Sequence, residues 1–481
     1  MSCKLISFLF FEVIAVFVGR QQELRKLNMM HESGQFEFAV IYGRRRVGKT
    51  TLIKEFCKDK KTIYFIAREA NDLINIENFS TDVFAVTSKE SEGNVYFSNW
   101  EKAFDYIYKI SCDERIILVI DEYPYLAQSN RAISSIIQAH IDMKLKDSKL
   151  FLILCGSSMS FMEYQVLGYK SPLYGRRTAQ FKIRPFTYYE SAKLLNGFSD
   201  EDKAIIYGIT GGVPDYLARI RLNLSVKENI KNLFLSESGH LFEEPINLLK
   251  QELREPATYN GIIAAIANGA TKLNEIAAKN GLESNKCAKY ISALMSLGIV
   301  KRDKPLTEDE SRKSIYLLED QMFRFWYRFI PGNMSSIATG LSDIVYEKSI
   351  APQLSNYMGL IFEQICTQYL IKENAKLSLP FVFGRIGRWW GNNPEKKRQE
   401  EIDILAVDDE NAIFGECKWK NEPTGIGILN ELVEKSKLFK QYKTKYYMVF
   451  SKSGFTKESE EIAVKMGNVE LVDLKKLYEE R

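Results

Sequence analysis

A stretch of eight residues constrains the fold of this 481-residue chain more than any other feature. Residues 43–50 read Gly-Arg-Arg-Arg-Val-Gly-Lys-Thr, which fits the phosphate-binding pattern of a glycine, four residues and Gly-Lys-Ser/Thr. The apolar run 36–42 before it predicts a buried strand, and residues 51–56 after it predict a helix. A strand, a glycine loop and a helix in this order predict an α/β nucleotide-binding domain.

The glycine loop also predicts how a nucleotide is held. Its backbone N–H groups can turn inward around a phosphate, and the next helix adds the favourable dipole of its N-terminus. Lys49 would reach the β- and γ-phosphates, and Thr50 would hold Mg²⁺. The alternative is a glycine turn that only joins the strand to the helix. We expect ATP to contact Gly43, Arg44, Arg45, Arg46, Val47, Gly48, Lys49, Thr50 and Thr51.

A second motif predicts hydrolysis as well as binding. The apolar run 115–120 is typical of a strand buried on both faces of a parallel sheet. Asp121 and Glu122 follow at its carboxyl end, where such sheets bind ligands. Asp121 would coordinate Mg²⁺ through water, and Glu122 would orient and deprotonate the attacking water. The alternative is that both acids cap the next helix.

Two later segments add polar residues that can act on the nucleotide. The buried strand 150–155 ends before Ser157, our first choice for a contact with the γ-phosphate or the water, and Ser158, our second. Arg176 and Arg177 lie on a predicted loop. An arginine from a neighbouring subunit or domain can neutralise charge in the transition state. A solvated loop is the alternative reading of this pair.

Composition limits the remaining functions. The net charge of +4 is nearly balanced, so any basic surface must be local. The seven cysteines are scattered and form no Cys-x-x-Cys pair, which predicts a reducing, cytoplasmic location. Three distant histidines exclude a histidine-rich metal site. The apolar run 5–18 is too short to span a membrane and is interrupted by Glu12, so we expect a core strand or an extended gene start and no membrane contact.

Five motifs together resemble the archaeal-type ATPases of the AAA+ superfamily, close to the STAND branch. They are residues 17–20, 43–50, 119–126, 155–158 and 211–214, and they cover roughly the first half of the chain. The resemblance implies a central strand before the glycine loop and a helical lid. It also implies that Gly19, Arg20 and Pro214 lie near the adenine and that ATP acts as a switch rather than as fuel.

The middle of the chain predicts a winged helix and an aromatic connector. Helices are expected over 271–282 and 284–297, with a wing from Gly298. The second helix carries only Lys286 and Lys289 as basic residues, so contact with DNA and docking on protein stay equally open. Aromatic residues crowd 322–329, which favours an interdomain core over stacking on bases.

Residues 401–407 and 412–419 predict a β-hairpin with candidate catalytic residues. Residues two apart in a strand share a face, so Glu416 and Lys418 point the same way and Asp403 can face them. Two carboxylates and a lysine suit Mg²⁺-assisted phosphodiester cleavage. Asp403 and Glu416 would be the metal ligands, and Lys418 would position or activate water.

These residues resemble the PD-(D/E)xK, restriction-endonuclease-like nucleases. The order of the predicted helix, strands and motif residues is also similar to that in an uncharacterised C-terminal domain often fused to this ATPase type. The resemblance implies that Glu363 is the helix acid beside the metal, and Ile402 stands where the pattern has proline. A salt-bridged hairpin on a degenerate nuclease fold is the alternative. A local basic surface for nucleic acid, or a solvated loop, is expected from Arg385, Arg388, Lys396, Lys397 and Arg398.

The expected architecture is α/β, with a P-loop parallel-sheet ATPase followed by smaller domains. Residues 1–200 form the ATPase core, with 1–18 as an apolar extension; 201–255 form the lid, 256–320 the winged helix, 321–350 the aromatic connector and 351–481 the restriction-endonuclease-like domain. The expected function is an ATP- and Mg²⁺-dependent ATPase coupled to a nuclease-like domain that acts on nucleic acid, with DNA as first choice. The alternative is an ATP-gated signalling or scaffold switch whose inactive nuclease fold binds a protein partner.

Overall fold

The computed structural model describes residues 17–87, 96–306 and 313–479. Residues 5–16 of the apolar run 5–18 lie outside the described residues. Two five-stranded sheets and a two-stranded sheet organise the described part of the chain. The first sheet belongs to the N-terminal half and the second to the C-terminal domain.

The N-terminal sheet is parallel throughout, with the strand order β2-β3-β4-β1-β5. Strand β1 precedes the glycine loop and lies inside the sheet, between β4 and β5. Every residue of β3 and β4 is buried, as their continuous apolar sequences predict. This sheet confirms the expected α/β architecture. Its strands are β1 Glu37–Tyr42, β2 Thr62–Ile66, β3 Ile116–Asp121, β4 Leu150–Gly156 and β5 Ala179–Lys182.

Helices cover this sheet and then continue as an all-helical segment. The helices of the sheet region are α1 Gln21–Glu32, α2 Lys49–Cys57, α3 Asp72–Thr87, α4 Trp100–Asp113, α5 Tyr123–Ser129, α6 Ile133–Met143, α7 Met159–Phe161 and α8 Tyr188–Ala192. The helical segment consists of α9 Asp200–Thr210, α10 Pro214–Leu217, α11 Val226–Phe234 and α12 Glu244–Glu252. Helix α11 begins at a capping box in which Ser225 and Glu228 satisfy each other's free backbone N–H groups.

Three helices and a two-stranded antiparallel sheet follow the helical segment. They are α13 Pro256–Ala267, α14 Leu273–Lys279, α15 Ser284–Ser296, β6 Val300–Asp303 and β7 Ile315–Leu318. A connector then contains α16 Gln321–Phe329, α17 Met334–Ala338 and α18 Ser342–Val345. The aromatic side chains of α16 are buried, as the composition of this stretch favours, and Asp320 caps the helix by accepting a hydrogen bond from the Phe323 N–H at 2.9 Å.

The C-terminal domain is a mixed sheet with the strand order β12-β11-β10-β9-β8. Strands β8, β9 and β10 are antiparallel neighbours, whereas β10, β11 and β12 run parallel. Its strands are β8 Arg385–Asn393, β9 Arg398–Val407, β10 Asn411–Lys418, β11 Thr444–Ser451 and β12 Val469–Asp473. Its helices are α19 Ala351–Ala375, α20 Ile426–Ser436, α21 Lys457–Met466 and α22 Leu474–Tyr478. Strand β8 adds a third antiparallel strand to the expected hairpin.

Phe325 of α16 joins three parts of the fold. Its ring centroid lies 4.8 Å from that of Phe234 in α11 and 5.6 Å from that of Tyr357 in α19. We expect Phe325→Ala to lower the free energy of unfolding by about 3–5 kcal/mol, because it leaves a cavity where these aromatic rings meet. Urea unfolding followed by tryptophan fluorescence measures the loss. Val464→Ala, at a side chain that is 83% exposed, is the control. Equal losses in both variants would contradict a central packing role for Phe325.

Candidate functional site

The glycine loop closes around the ammonium group of Lys49. Gly48 precedes α2 with φ of 86°, a left-handed conformation that favours glycine. Lys49 Nζ donates to the carbonyl oxygens of Gly43 at 2.9 Å and Arg44 at 3.0 Å. Burial lowers the pKa of Lys49 from its ordinary value. The loop therefore presents a desolvated lysine at the N-terminus of a helix, an arrangement that suits a phosphate.

Asp121 is held at the end of β3 by two hydroxyl groups. Thr50 Oγ1 donates to Asp121 Oδ2 at 3.1 Å, and the Tyr64 hydroxyl donates to the same oxygen at 2.7 Å. Sequence analysis missed Tyr64, although it lies on β2 in register with Val119 of β3. Burial, together with the charge of Asp121, raises the pKa of Tyr64 far above its ordinary value, so the phenol keeps its proton. Thr50 and Asp121 thus meet as two oxygen donors of the kind that Mg²⁺ prefers.

Glu122 faces Ser157 across the ends of β3 and β4. Ser157 Oγ lies 3.0 and 2.8 Å from the two carboxylate oxygens of Glu122. Glu122 occupies the position before α5 with φ of 50°, but its side chain makes no capping hydrogen bond. Capping of the next helix therefore does not explain this acid. Ser157, the first choice of the sequence analysis, makes the contact to Glu122, whereas Ser158 precedes α7 without a side-chain cap.

A cavity of about 660 Å³ lies against the phosphate loop, and Asp121 is not among the residues that line it. Loop residues 45–51 line one side, and Arg20, Glu122, Ser157, Phe186 and Pro214 complete the walls. The Arg20 guanidinium lies 4.7 Å from the centre of the Phe186 ring, and its Nη2 donates to the carbonyl of Val47 at 3.0 Å. The volume falls in the range of small-molecule and cofactor pockets. Gly43, Arg44 and Gly19, which were also expected to contact ATP, do not line this cavity.

The three consecutive arginines of the loop each reach a carboxylate of a later segment. Arg44 pairs with Asp320, which caps α16, so its guanidinium points away from the nucleotide cavity. Arg45 Nε lies 3.7 Å from Glu252 Oε1 of α12. The third, Arg46, pairs with the buried Glu244 of the same helix. Sequence analysis assigned these arginines to ATP, and Arg45 and Arg46 line the nucleotide cavity. The carboxylates of Asp320, Glu252 and Glu244 lie 198 or more positions away from them, and no local pattern indicates these pairs.

Arg176 and Arg177 lie outside the nucleotide cavity. Arg176 binds Asp142 through two nitrogens, Nε at 3.0 Å from Oδ1 and Nη2 at 2.6 Å from Oδ2. The Arg177 guanidinium lies 5.9 Å from the centre of the Tyr174 ring. Neither arginine therefore contacts the nucleotide site of its own chain in this conformation, and a role in a neighbouring site stays a prediction.

Asp403, Glu416 and Lys418 meet on neighbouring strands of the C-terminal sheet. The register pairs Gly415 with Ile404, so Glu416 and Asp403 come next to each other across the ladder. Lys418 Nζ donates to Glu416 Oε1 at 2.6 Å, and Cys417 N–H donates to Asp403 Oδ2 at 2.8 Å. Burial, aided by the charge of Glu416, raises the pKa of Asp403 to about 6. The expected constellation of two carboxylates and a lysine is therefore formed.

Two basic residues modify this constellation in ways that the sequence did not indicate. Lys435 of α20 donates to Glu416 Oε2 at 3.1 Å, so Glu416 contacts two lysines. Arg388 Nε lies 3.3 Å from Glu363 Oε2, and Arg388 also pairs with Glu401. Burial nevertheless raises the pKa of Glu363 to about 7. The proposed basic surface consequently loses Arg388, whereas Arg385, Lys396, Lys397 and Arg398 are exposed.

The described residues contain no cluster of three or more side chains that could bind a metal ion. Residues 17–87, 96–306 and 313–479 contain no group of three His, Cys, Asp or Glu side chains that could hold a metal ion together. Glu363, engaged by Arg388, does not extend the Asp403 and Glu416 pair into such a group. A metal at this site would therefore depend on two side chains, with water and phosphate oxygens as its other ligands, which is typical of Mg²⁺.

A second cavity of about 660 Å³ lies between the ATPase sheet region and the C-terminal domain. Glu363, Arg388 and Asp403 of the C-terminal domain line it, and so do Lys182 and Arg184, at the end of β5 and just after it. Glu416 and Lys418 are not among the residues around this cavity. Of the two expected metal ligands, Asp403 alone therefore faces the space between the domains.

The sheet, the glycine loop and the acidic end of β3 define a P-loop ATPase. Residues 17–220 match the family described as an ATPase domain predominantly from Archaea, and residues 326–437 match a family of archaeal and bacterial proteins of unknown function. An uncharacterized protein of Methanocaldococcus jannaschii is 35% identical over 453 residues, which cover 92% of this chain and 97% of the relative. The chain belongs to this archaeal ATPase family.

Two further similarities agree with this assignment. An uncharacterized ATP-binding protein of the same organism is 46% identical over 48 residues, which cover 10% of this chain and 81% of the relative. The Walker-type ATPase of Pyrococcus abyssi superposes with a TM-score of 0.51 at 20% identity, over 65% of this chain and 96% of that one. At this identity the structural likeness supports the fold alone. Among the described helices, none combines the length and apolarity that a bilayer crossing requires.

Proposed function

We propose that this protein binds and hydrolyses ATP and that its nucleotide state controls a metal-dependent, nuclease-like site in the C-terminal domain. The ATPase part rests on one observation above all: Lys49, Thr50, Glu122 and Ser157 line one cavity of nucleotide size, and Asp121 accepts a hydrogen bond from Thr50 beside it. This set contains a cation for phosphate, oxygen donors for Mg²⁺ and a carboxylate for water. Nucleotide binding alone needs the cation and the oxygen donors for Mg²⁺. The carboxylate is the additional group that hydrolysis requires.

Each residue has a distinct part in the proposed hydrolysis. Lys49 would exchange its two carbonyl contacts for the β- and γ-phosphate oxygens. Bound Mg²⁺, held by Thr50 and, through water, by Asp121, would neutralise the phosphate charge that develops during the reaction. Glu122 would accept the proton of the attacking water, and Ser157 would fix the orientation of the Glu122 carboxylate. Arg20, Phe186 and Pro214 would surround the base and sugar.

Replacing Lys49 tests the assigned phosphate site. Charge-assisted hydrogen bonds contribute about 1.5–3 kcal/mol each, so Lys49→Ala is expected to weaken ATP binding by roughly 10–100-fold. Lys54→Ala removes an exposed lysine from the same helix and should leave the affinity unchanged. Titration with a fluorescent ATP analogue measures both variants. Equal affinities in Lys49→Ala and the unchanged protein would exclude the proposed site.

The nuclease-like part rests on the meeting of Asp403, Glu416 and Lys418 at adjacent strand positions. Asp403 and Glu416 would hold Mg²⁺, which would polarise a phosphodiester and lower the pKa of a bound water. Lys418 would orient that water or stabilise the charge on the phosphate. Glu363, on the neighbouring helix and engaged by Arg388, would orient Arg388 rather than bind the metal. The substrate class that these groups suit is nucleic acid, and DNA is our first choice.

The segment between the lid and the connector would be a winged helix. Helices α13, α14 and α15 are followed by the hairpin of β6 and β7, which is the element order of that motif. Lys286 and Lys289 are exposed on the second of the two helix-turn-helix elements. Two lysines support backbone contacts to nucleic acid rather than base reading. In this proposal the segment orients the substrate relative to the other domains.

A second function, an ATP-gated scaffold whose C-terminal site is inactive, has its own supporting observation. Glu416 contacts both Lys418 and Lys435, so a metal would have to compete with two ammonium groups for its carboxylate. In such a protein the ion pairs would hold the fold together and the domain would bind a partner protein. Metal-dependent cleavage, considered in the Discussion, separates the two functions.

A further inference from the structure

The segment between β4 and β5 exposes three tyrosines within a short stretch. Tyr164, Tyr169 and Tyr174 are 68%, 76% and 50% exposed, respectively. Exposed tyrosines of this number are unusual on one connection, because large aromatic side chains contribute most to stability when they are buried. The fold of the segment does not require them, and their exposure needs another reason.

The segment is nevertheless firmly attached to the protein. Met159, Met162, Val166 and Leu173 are buried in the main core, and they alternate along the chain with the exposed tyrosines. Arg176 also forms a bidentate ion pair with Asp142. The aromatic rings are therefore held by an ordered backbone. Less conformational entropy of the protein is lost when a ligand binds to them.

The same segment is strongly basic. Residues 159–184 carry five cations and one acid, but Arg176 is paired with Asp142 and Lys182 with Glu163, so the positive charge offered to a ligand rests on Lys170, Arg177 and Arg184. Lys170 Nζ lies 5.6 Å from the centre of the Tyr169 ring, and the Arg177 guanidinium lies 5.9 Å from that of Tyr174. Aromatic rings interleaved with cations are the surface on which single-stranded nucleic acid stacks its bases and neutralises its phosphates.

Both ends of the segment lead to a functional site. It begins two residues after Ser157, which contacts Glu122, and it ends at Lys182 and Arg184, which line the cavity in front of Asp403. That cavity, of about 660 Å³, has the size of a small-molecule pocket. A duplex, with a major groove that is already about 12 Å wide, does not fit into it. A single strand has no paired groove of that width, and its bases are free to stack on aromatic rings.

We infer that residues 159–184, the tyrosine segment, bind single-stranded nucleic acid and lead it into the cavity in front of Asp403. The inference deepens the proposed function, on which its final step rests, by naming the substrate class and the surface that recognises it. Stacking on the tyrosines accounts for a preference for unpaired bases, and the basic residues account for contact with the sugar-phosphate backbone. The contact between Ser157 and Glu122 connects this surface to the nucleotide site.

Binding of labelled oligonucleotides to the full chain tests the inference directly. Fluorescence anisotropy is measured with oligo(dT) and oligo(U) of about 20 nucleotides, long enough to cover several aromatic sites. A variant with Tyr164→Ala, Tyr169→Ala and Tyr174→Ala is expected to bind about tenfold or more weakly. Tyr96→Ala, at an exposed tyrosine elsewhere, is the matched control and should bind normally. Unchanged ATP hydrolysis in the triple variant verifies that it is folded.

Several outcomes overturn the inference. They are absence of oligonucleotide binding by the unchanged protein, equal binding by the triple variant, and equal affinity for a duplex of the same length. A change in the oligomeric state of the triple variant without any change in oligonucleotide affinity indicates a surface between protein copies and also overturns it. The oligo(dT) and oligo(U) arms identify the sugar that is preferred. Lys170→Ala is expected to reduce the salt dependence of binding.

The same experiment distinguishes failure of this inference from failure of the proposed nuclease. Asp403→Ala leaves the tyrosine segment intact, so the loss of binding caused by the three tyrosine substitutions should also appear when they are made in the Asp403→Ala protein. If the tyrosine-dependent binding is present but no cleavage occurs, the inferred surface is supported and the nuclease proposal fails. If cleavage depends on Asp403 but is unaffected in the triple tyrosine variant, the nuclease proposal stands and the inferred surface is wrong.

Discussion

Replacing Glu122 by glutamine is expected to leave ATP bound and to lower the hydrolysis rate by about 10²–10⁴-fold, the usual contribution of a general base. The amide retains the size of the side chain and a hydrogen bond to Ser157, but it cannot accept the proton of the attacking water. The proposed nucleotide contacts of Lys49 and Thr50 should be unaffected. Phosphate release under saturating ATP measures the rate, and titration with an ATP analogue measures binding.

A carboxylate outside the cavity provides the control for this change. Glu114, which pairs with Lys61 at the surface, should tolerate Glu114→Gln without loss of hydrolysis. Normal hydrolysis by Glu122→Gln would show that another group activates the water. Loss of binding together with hydrolysis would instead indicate that Glu122 shapes the nucleotide cavity.

Replacing Asp403 by alanine is expected to abolish Mg²⁺-dependent cleavage of nucleic acid without lowering ATP hydrolysis. Asp403 is the expected metal ligand that lines the cavity between the domains, so its loss removes the metal where the substrate would arrive. The assay compares single-stranded, duplex and branched DNA and RNA, with and without ATP and Mg²⁺. Glu416→Ala and Lys418→Ala should behave in the same way, because the three side chains form one site.

An acid of the neighbouring turn serves as the control for the C-terminal site. Asp409 is exposed between β9 and β10, and Asp409→Ala should cleave as the unchanged protein does. If the unchanged protein hydrolyses ATP but cleaves none of the substrates, the scaffold function becomes the better account. The ion pairs of Glu416 with Lys418 and Lys435 would then be structural, and the search would turn to a protein partner.

The sequence predicted the parts of the nucleotide site that depend on local patterns. A glycine loop between a strand and a helix has one common geometry, and an apolar strand that ends in Asp121 and Glu122 carries these acids to the same edge of the sheet. Ser157 could be chosen for the same reason, since β4 pairs with both β1 and β3. The placement of these polar residues at one edge of the sheet follows from the parallel direction and the order of the strands.

Contacts between distant segments could not be predicted in the same way. Tyr64 reaches Asp121 because β2 and β3 pair in one particular register, and the sequence of β2 alone does not fix that register. Arg44 pairs with Asp320, which is 276 positions away in the sequence. Lys435, on the helix that follows the next loop, donates a hydrogen bond to Glu416. A single sequence gives the charge of such residues but not the tertiary packing that selects their partners.

The three loop arginines give a physical route by which ATP binding and the arrangement of the domains would affect each other. Arg44 reaches the cap of α16, and Arg45 and Arg46 reach α12, so three consecutive residues join the phosphate loop to two other segments. Any ligand that favours one arrangement of these segments must change the affinity for ATP by the same factor by which ATP changes the affinity for that ligand. A molecule bound far from the phosphates would therefore be detected as a change in how tightly the chain holds its nucleotide.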